Sequence, residues 1–235
     1  MTTSPRRGAM RVAFVVPRYG PDVVGGAETL VRGLAGHLAA EGTPVEVLTT
    51  CARDHLTWRN ALPAGTAVED GVTVHRFPVQ PRNEWRFGWL QQRILRGGRL
   101  SMAEQLRWAE ESVQSPGLFA HLVGHRTAYD AVCFAPYLFG TTVRGAPLVP
   151  ERAVLIPCLH DEPFAYLDVV RAVFASCRGF IFNAEPEAAL AEKLYGIADR
   201  PAGVVGLGFD APPPTDPVAF RRRHGLDGPI LLYLG

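Results

Sequence analysis

The chain has 235 residues, with 24 lysines and arginines against 23 aspartates and glutamates, a formal net charge of +1. Apolar residues are 47% and charged ones 20%, which fits an ordinary globular protein with room for one large α/β domain. The balance of charge removes a global electrostatic case for nucleic acid, and no apolar run has the length of a membrane-spanning helix.

Residues 1–9 are polar and are expected to be disordered. The apolar run behind them, residues 11–16, is too short for a secretory leader and closes at Pro17. It reads instead as a buried parallel strand. A loop with Gly20-Pro21-Asp22 turn chemistry follows. From Ala27 the apolar positions Leu30, Val31, Leu34, Ala35 and Leu38 recur at helical spacing. Gly42 is placed to stop that helix, and residues 45–50 form a second strand. Strand, helix and strand within about forty residues make a right-handed βαβ unit.

Gly25-Gly26 falls at its strand-to-helix turn. There the first helical N–H groups lack intrahelical partners and the helix dipole adds positive charge. Without side chains, a phosphate or sugar can approach the backbone. The same glycines also suit a tight turn and close helix–sheet packing, and both readings stay open. The spacing is neither the dinucleotide Gly-x-Gly-x-x-Gly nor a Walker loop.

Asp70-Gly71 is a turn leading into a strand that ends near Phe77. Residues 82–100 carry Arg82, Arg86, Arg93, Arg96 and Arg99 among Trp85, Phe87, Trp89 and Ile94. Such a stretch suits an anionic membrane surface or the grip of an anionic acceptor. It also suits a surface helix whose aromatics cover the core and whose arginines are solvated, which is the favoured reading. Ser101 and Glu104 form a capping box for a helix over 102–114. Ser115-Pro116 opens another, to about 126. Strands follow at 131–134, 153–156, 179–182 and 202–205. Helices lie near 138–143, from 163 to 177 and from 187 to 195. Pro212, Pro213, Pro214 and Pro217 stiffen a linker. A short basic helix, 218–224, and a buried-type strand, 229–235, complete the chain.

Ligands of open parallel sheets bind beyond the carboxyl ends of the strands. Four groups fall there: Arg18-Tyr19 with Gly25-Gly26, Pro136-Tyr137, His160-Asp161-Glu162, and Asn183 with Glu185. His160 can donate to a hydroxyl or a phosphate oxygen, or can serve the loop itself. Asp161 and Glu162 suffice as helix-start acids. No nucleophile elbow or metal-ligand spacing is present. The four cysteines, Cys51, Cys133, Cys158 and Cys177, show no ligand spacing and read as reduced thiols of a cytoplasmic protein.

In this order the motifs resemble the amino-terminal half of a family 4 glycosyltransferase of GT-B fold. The residues that carry the resemblance are the first strand with Gly25-Gly26-Ala27-Glu28, the strand ending in Thr49-Thr50, His160-Asp161-Glu162-Pro163, Asn183 with Glu185, and Gly206-Leu207-Gly208-Phe209-Asp210. The resemblance implies a Rossmann-like parallel sheet flanked by helices, residues 10–210, on the acceptor side of a cleft. A linker with a short helix, 211–228, and the first strand of a truncated donor-binding domain, 229–235, would follow. It implies sugar transfer with retention from a nucleotide sugar to a sugar or glycolipid, with no cofactor and no metal. Gly25 and Gly26 would approach the donor diphosphate, and His160 would contact the donor sugar. Arg18, Tyr19, Asn183 and Glu185 are the further candidate binding residues. Ala184 stands where such proteins often carry Ser or Thr. The second domain, with its basic residues and paired glutamates, would be supplied in cis or trans, and the chain alone would be inactive. The alternative is a non-catalytic acceptor-binding module that pairs with a separate chain. Peripheral membrane contact would run through residues 82–100.

Overall fold

In the computed structural model, residues 10–208 and 214–233 are described. The first strand, β1 (Val12–Val15), is buried at every position. Its side chains alternate between two cores, so the strand reads as a continuous apolar run. Val12 and Phe14 join Leu30, Val31 and Ala35 of α1 (Gly26–Ala40) on one face. Ala13 and Val15 face the opposite core.

The chain continues through β2 (Val45–Thr50), β3 (Gly65–Glu69) and β4 (Val72–Phe77). The helices α2 (Glu84–Leu95), α3 (Met102–Ser112) and α4 (Pro116–Gly124) follow. Then come β5 (Ala131–Phe134), α5 (Gly140–Gly145) and β6 (Ala153–Leu155). The last part holds α6 (Asp168–Ser176), β7 (Gly179–Phe182), α7 (Glu185–Tyr195), β8 (Ala202–Val204) and α8 (Pro217–His224). The eight strands form one sheet in the order β3-β4-β2-β1-β5-β6-β7-β8. Only the β3–β4 pair is antiparallel. From β1 the chain first builds outward through β2 to β4, then returns and builds the other way from β5. The strand order therefore reverses between β1 and β5, where an open α/β sheet forms its ligand crevice.

The Ser101–Glu104 capping box forms, and Gly42 lies at φ +83° just beyond α1. Asp70 and Gly71 both take positive φ, 50° and 79°, the geometry of a tight hairpin turn. Three expectations are corrected. Residues 65–69 form the edge strand β3, although no alternation marks them; every position but Glu69 is exposed, so burial imposed no pattern. The helix expected from 163 to 177 is a 3-10 turn, Pro163–Tyr166, followed by α6, because Leu167 is extended between them. Ser115 is the N-cap residue of α4 and Pro116 opens it as expected, with the Ser115 hydroxyl donating to the Pro78 carbonyl, 2.9 Å away, rather than to the helix. Residues 229–233 form no strand: among the described residues no strand pairs with them, and Leu231, Leu232 and Tyr233 are exposed. Residues 1–9, 209–213 and 234–235 lie outside the described residues, and with them the expected disordered start, most of the linker and the end of that strand.

Candidate functional site

The loop after β1 ends at Gly25, the N-cap of α1, and no side chain caps this helix. Its first N–H groups therefore keep the donor capacity and partial positive charge that an anion uses. The two glycines separate here. A Cβ on Gly26 would meet nothing within 4 Å, so the surface in front of it is open. A Cβ on Gly25 would lie 2.1 Å from Glu28 Oε2 and 3.0 Å from Arg18 Nη2. Gly25 is a glycine because an ion pair occupies the space beside it.

That pair corrects the sequence reading of Arg18 and Tyr19. Arg18 is 6% exposed and binds Glu28, also 6% exposed, at 2.6 Å. Its guanidinium also donates to the carbonyls of Val24 and Arg53. The Tyr19 side chain is buried in the core under α1, and Arg76 donates to its carbonyl at 3.0 Å. Both side chains shape the glycine loop from behind rather than lining the crevice.

Beyond β5, Tyr137 is fully buried and donates its hydroxyl to Glu162 Oε1 at 2.8 Å. Burial, then the hydrogen bond to that carboxylate, pushes the phenol far above its usual range. Asp161 turns elsewhere and accepts from Tyr166 at 2.6 Å. The adjacent acids thus serve two different tyrosines and do not face a common bond, as a hydrolase pair would. His160 sits between β6 and these acids with an exposed side chain.

Asn183 lies at the end of β7. Its amide nitrogen reaches Cys158 Sγ at 3.7 Å, and its side chain is half-buried. Glu185 is exposed on the first turn of α7 and Ala184 caps without a side-chain bond. The residue that organises this corner is Glu187, which the sequence reading missed. One of its oxygens accepts from the Leu159 N–H and the other from the Asn183 N–H, each at 2.7 Å. Glu187 stands three residues after the N-cap, where an acid commonly reaches back over a helix start; that spacing was the available signal. Burial first, then the negative charges of Glu187 and Glu28, push the Cys158 thiol up to about 11. Cys158 is therefore not a thiolate at neutral pH. Among the described residues no group of three or more His, Cys, Asp or Glu is arranged to hold a metal ion. None of their helices is long and apolar enough to cross a membrane.

No protein-family model matches the chain, and neither does any curated protein. Solved structures do match in fold. A structure described as trehalose-6-phosphate from E. coli bound with UDP-2-fluoro glucose aligns at TM-score 0.55 and 12% identity, over 92% of this chain and 54% of that one. Trehalose-6-phosphate synthase OtsA aligns at 0.56 and 14%, over 92% and 55%. The alpha,alpha-trehalose 6-phosphate synthase from Burkholderia multivorans aligns at 0.52 and 11%, over 86% and 49%. At such identities the likeness is one of fold. The sheet and its helices have the architecture of one Rossmann-like half of a GT-B glycosyltransferase. This chain spans about half the length of each of these structures.

Proposed function

We propose that this chain is the acceptor-side half of a retaining glycosyltransferase that uses a nucleotide-sugar donor. One observation carries the reading. The uncapped start of α1, open in front of Gly26, lies at the carboxyl edge of the parallel sheet together with His160 and the Asn183 loop, next to the point where strand order reverses. In this reading the N–H groups at Gly26 approach the donor diphosphate, and His160 donates to the donor sugar or to the departing charge. Asn183 and Glu185 border the same edge. Membership of family 4, and with it retention of configuration, rests on the order of the motifs. The fold likeness to trehalose-6-phosphate synthases supports the broader class.

Since the chain spans about half of its structural neighbours, the reading includes a donor-binding unit supplied in cis or trans. Residues 10–208 form the acceptor-side domain. The helix α8 and residues 229–233 lead towards that unit, and the exposed Leu231 and Leu232 fit a segment that pairs elsewhere. Any peripheral contact with a membrane would run through residues 82–100, where Trp85 is 78% exposed, and a solvated surface helix is the favoured reading of that stretch.

The test is transfer from a panel of nucleotide-sugar donors by this chain together with a donor-binding domain, fused or added. Gly26→Val should abolish transfer in a protein that remains folded. Unchanged kinetics in both Gly26→Val and His160→Ala would overturn the assignment. Transfer by the 235-residue chain alone would overturn the need for a second unit.

A further inference from the structure

A cavity of about 620 Å³ begins at the residue after His160. Its size is that of a small-molecule site. One wall is the turn between α2 and α3, including Gly97 and Arg99, and the other is the 3-10 turn with the start of α6. The floor is apolar: Ile94, Leu100 and Leu167 are each at most 9% exposed. The rim is polar, and its parts are held in place from behind.

Three carboxylates stand on that rim, and each uses one oxygen on a neutral donor of the protein. Asp161 accepts from the Tyr166 hydroxyl at 2.6 Å and Glu162 from Tyr137 at 2.8 Å. Asp168 accepts from the Gln105 amide at 3.1 Å. Gln105 is itself buried and fixed, since its oxygen accepts from the Val169 N–H at 3.1 Å. These contacts orient the carboxylates without cancelling their charge. Each keeps a second oxygen with acceptor capacity for a hydroxyl. Tyr166 completes the arrangement. It is 59% exposed, and the tether to Asp161 holds its ring while leaving a face bare. An aromatic face beside fixed acceptors matches a pyranose, which offers C–H groups on one side and hydroxyl donors around its edge.

We propose that this cavity holds the acceptor, that the acceptor is a sugar unit without phosphate, and that Asp161, Glu162, Asp168 and Tyr166 select it. The proposal rests on the glycosyltransferase reading above for the word acceptor only; the cavity and its chemistry stand without it. Three carboxylates against the single guanidinium of Arg99 repel a phosphate dianion at close range. In this respect the cavity suits a different substrate from the phosphorylated sugar that names the structural neighbours.

The experiment is saturation-transfer NMR on the 235-residue chain. The probes are the methyl glycosides of glucose, galactose and mannose, with glucose 6-phosphate for comparison. At least one neutral glycoside should bind, and glucose 6-phosphate should bind at least about tenfold more weakly. Tyr166→Ala and Asp161→Asn should each weaken the neutral ligand by about tenfold, the equivalent of one hydrogen bond to a charged group. Tyr166→Phe, which keeps the ring, should weaken it less. The double variant Asp161→Asn with Asp168→Asn should narrow the gap to glucose 6-phosphate. Asp161 and Tyr166 are exposed, and circular dichroism would confirm that the variants stay folded. The proposal falls if none of the three glycosides binds, if glucose 6-phosphate binds as well as they do, or if both single variants leave binding unchanged. Binding without transfer in the fused protein removes the transferase reading and leaves the cavity standing. Transfer that needs His160 but ignores the cavity variants removes the cavity alone.

Discussion

Replacing each of the two glycines by alanine should move stability in opposite directions. Gly26→Ala places a Cβ where nothing lies within 4 Å, in the first turn of α1. Alanine there restricts the unfolded chain and suits the helix, so about 0.4–1 kcal/mol of stabilisation is expected. Gly25→Ala places a Cβ 2.1 Å from Glu28 Oε2. The backbone is extended there, φ 164° and ψ 146°, so alanine meets no backbone strain. The cost comes from displacing a 2.6 Å ion pair whose members are both buried. Full rupture of a buried pair costs about 3–5 kcal/mol. Both side chains can shift at their far ends, so the overpacking range of about 1–3 kcal/mol applies. For a protein of this size 1 kcal/mol moves Tm by about 2–4 °C. Gly25→Ala should then lower Tm by roughly 4–8 °C for a 2 kcal/mol loss, while Gly26→Ala raises it by about 1–4 °C. Thermal denaturation followed by circular dichroism reads both. Equal shifts, or a Gly26→Ala protein as destabilised as Gly25→Ala, would refute the division of roles between them.

His160→Ala, in the chain joined to its donor-binding unit, should lower kcat by tenfold or more, since one hydrogen bond to a charged or transition-state group is worth roughly 1.5–3 kcal/mol; steady-state kinetics would show it, and an unchanged kcat/KM would return His160 to a structural role. Within residues 82–100, Arg86 pairs with Glu111 and Arg93 with Glu104, while Arg93 lies over Trp89 and Arg82 over Phe87. Co-sedimentation with anionic vesicles that is lost at high salt and in Trp85→Ala would support membrane contact; no sedimentation, or equal recovery with neutral vesicles, leaves a solvated helix. His121 gives a pH prediction. Burial first, then the neighbouring His125 and His75, lower its pKa from 6.5 to about 4, so the folded protein holds it neutral while the unfolded chain binds a proton. Stability from this group is therefore complete above about 6.5 and declines as pH falls towards 4. His121→Gln should flatten the denaturant midpoint against pH between those values, and an unchanged slope would contradict the assignment.

The sequence was most legible where burial imposed a pattern. The parallel strands β1, β5, β6 and β7 were read directly, because both faces are covered and their residues are apolar throughout. The start of α1 was legible because glycines there have a mechanical meaning. β3 escaped because an exposed edge strand has no apolar face to reveal it. Arg18 and Tyr19 were legible as residues of the correct loop but not in their direction, since a position beside the crevice does not say whether a side chain turns outward or pairs behind it. Glu28 was the missing half of that decision, and only its 2.6 Å approach to Arg18 settles it. Gln105 carried no signal at all. Its role in holding Asp168 spans 63 positions, and helical periodicity says nothing about a contact at that distance.

The carboxylate of Glu187 joins two stretches of backbone, at Leu159 and at Asn183, that lie in different loops. A local opening cannot release one of these amides and keep the other, unless it first splits the two hydrogen bonds of a single side chain. Amide hydrogen exchange at Leu159 and Asn183 should consequently be correlated, with similar opening free energies, although 23 residues lie between them. A ligand that immobilises His160 should slow exchange at Asn183 as well, without touching it. In Glu187→Gln, where one oxygen is lost, the two amides should exchange independently. The corner beyond β6 and β7 thus opens and closes as one cooperative unit.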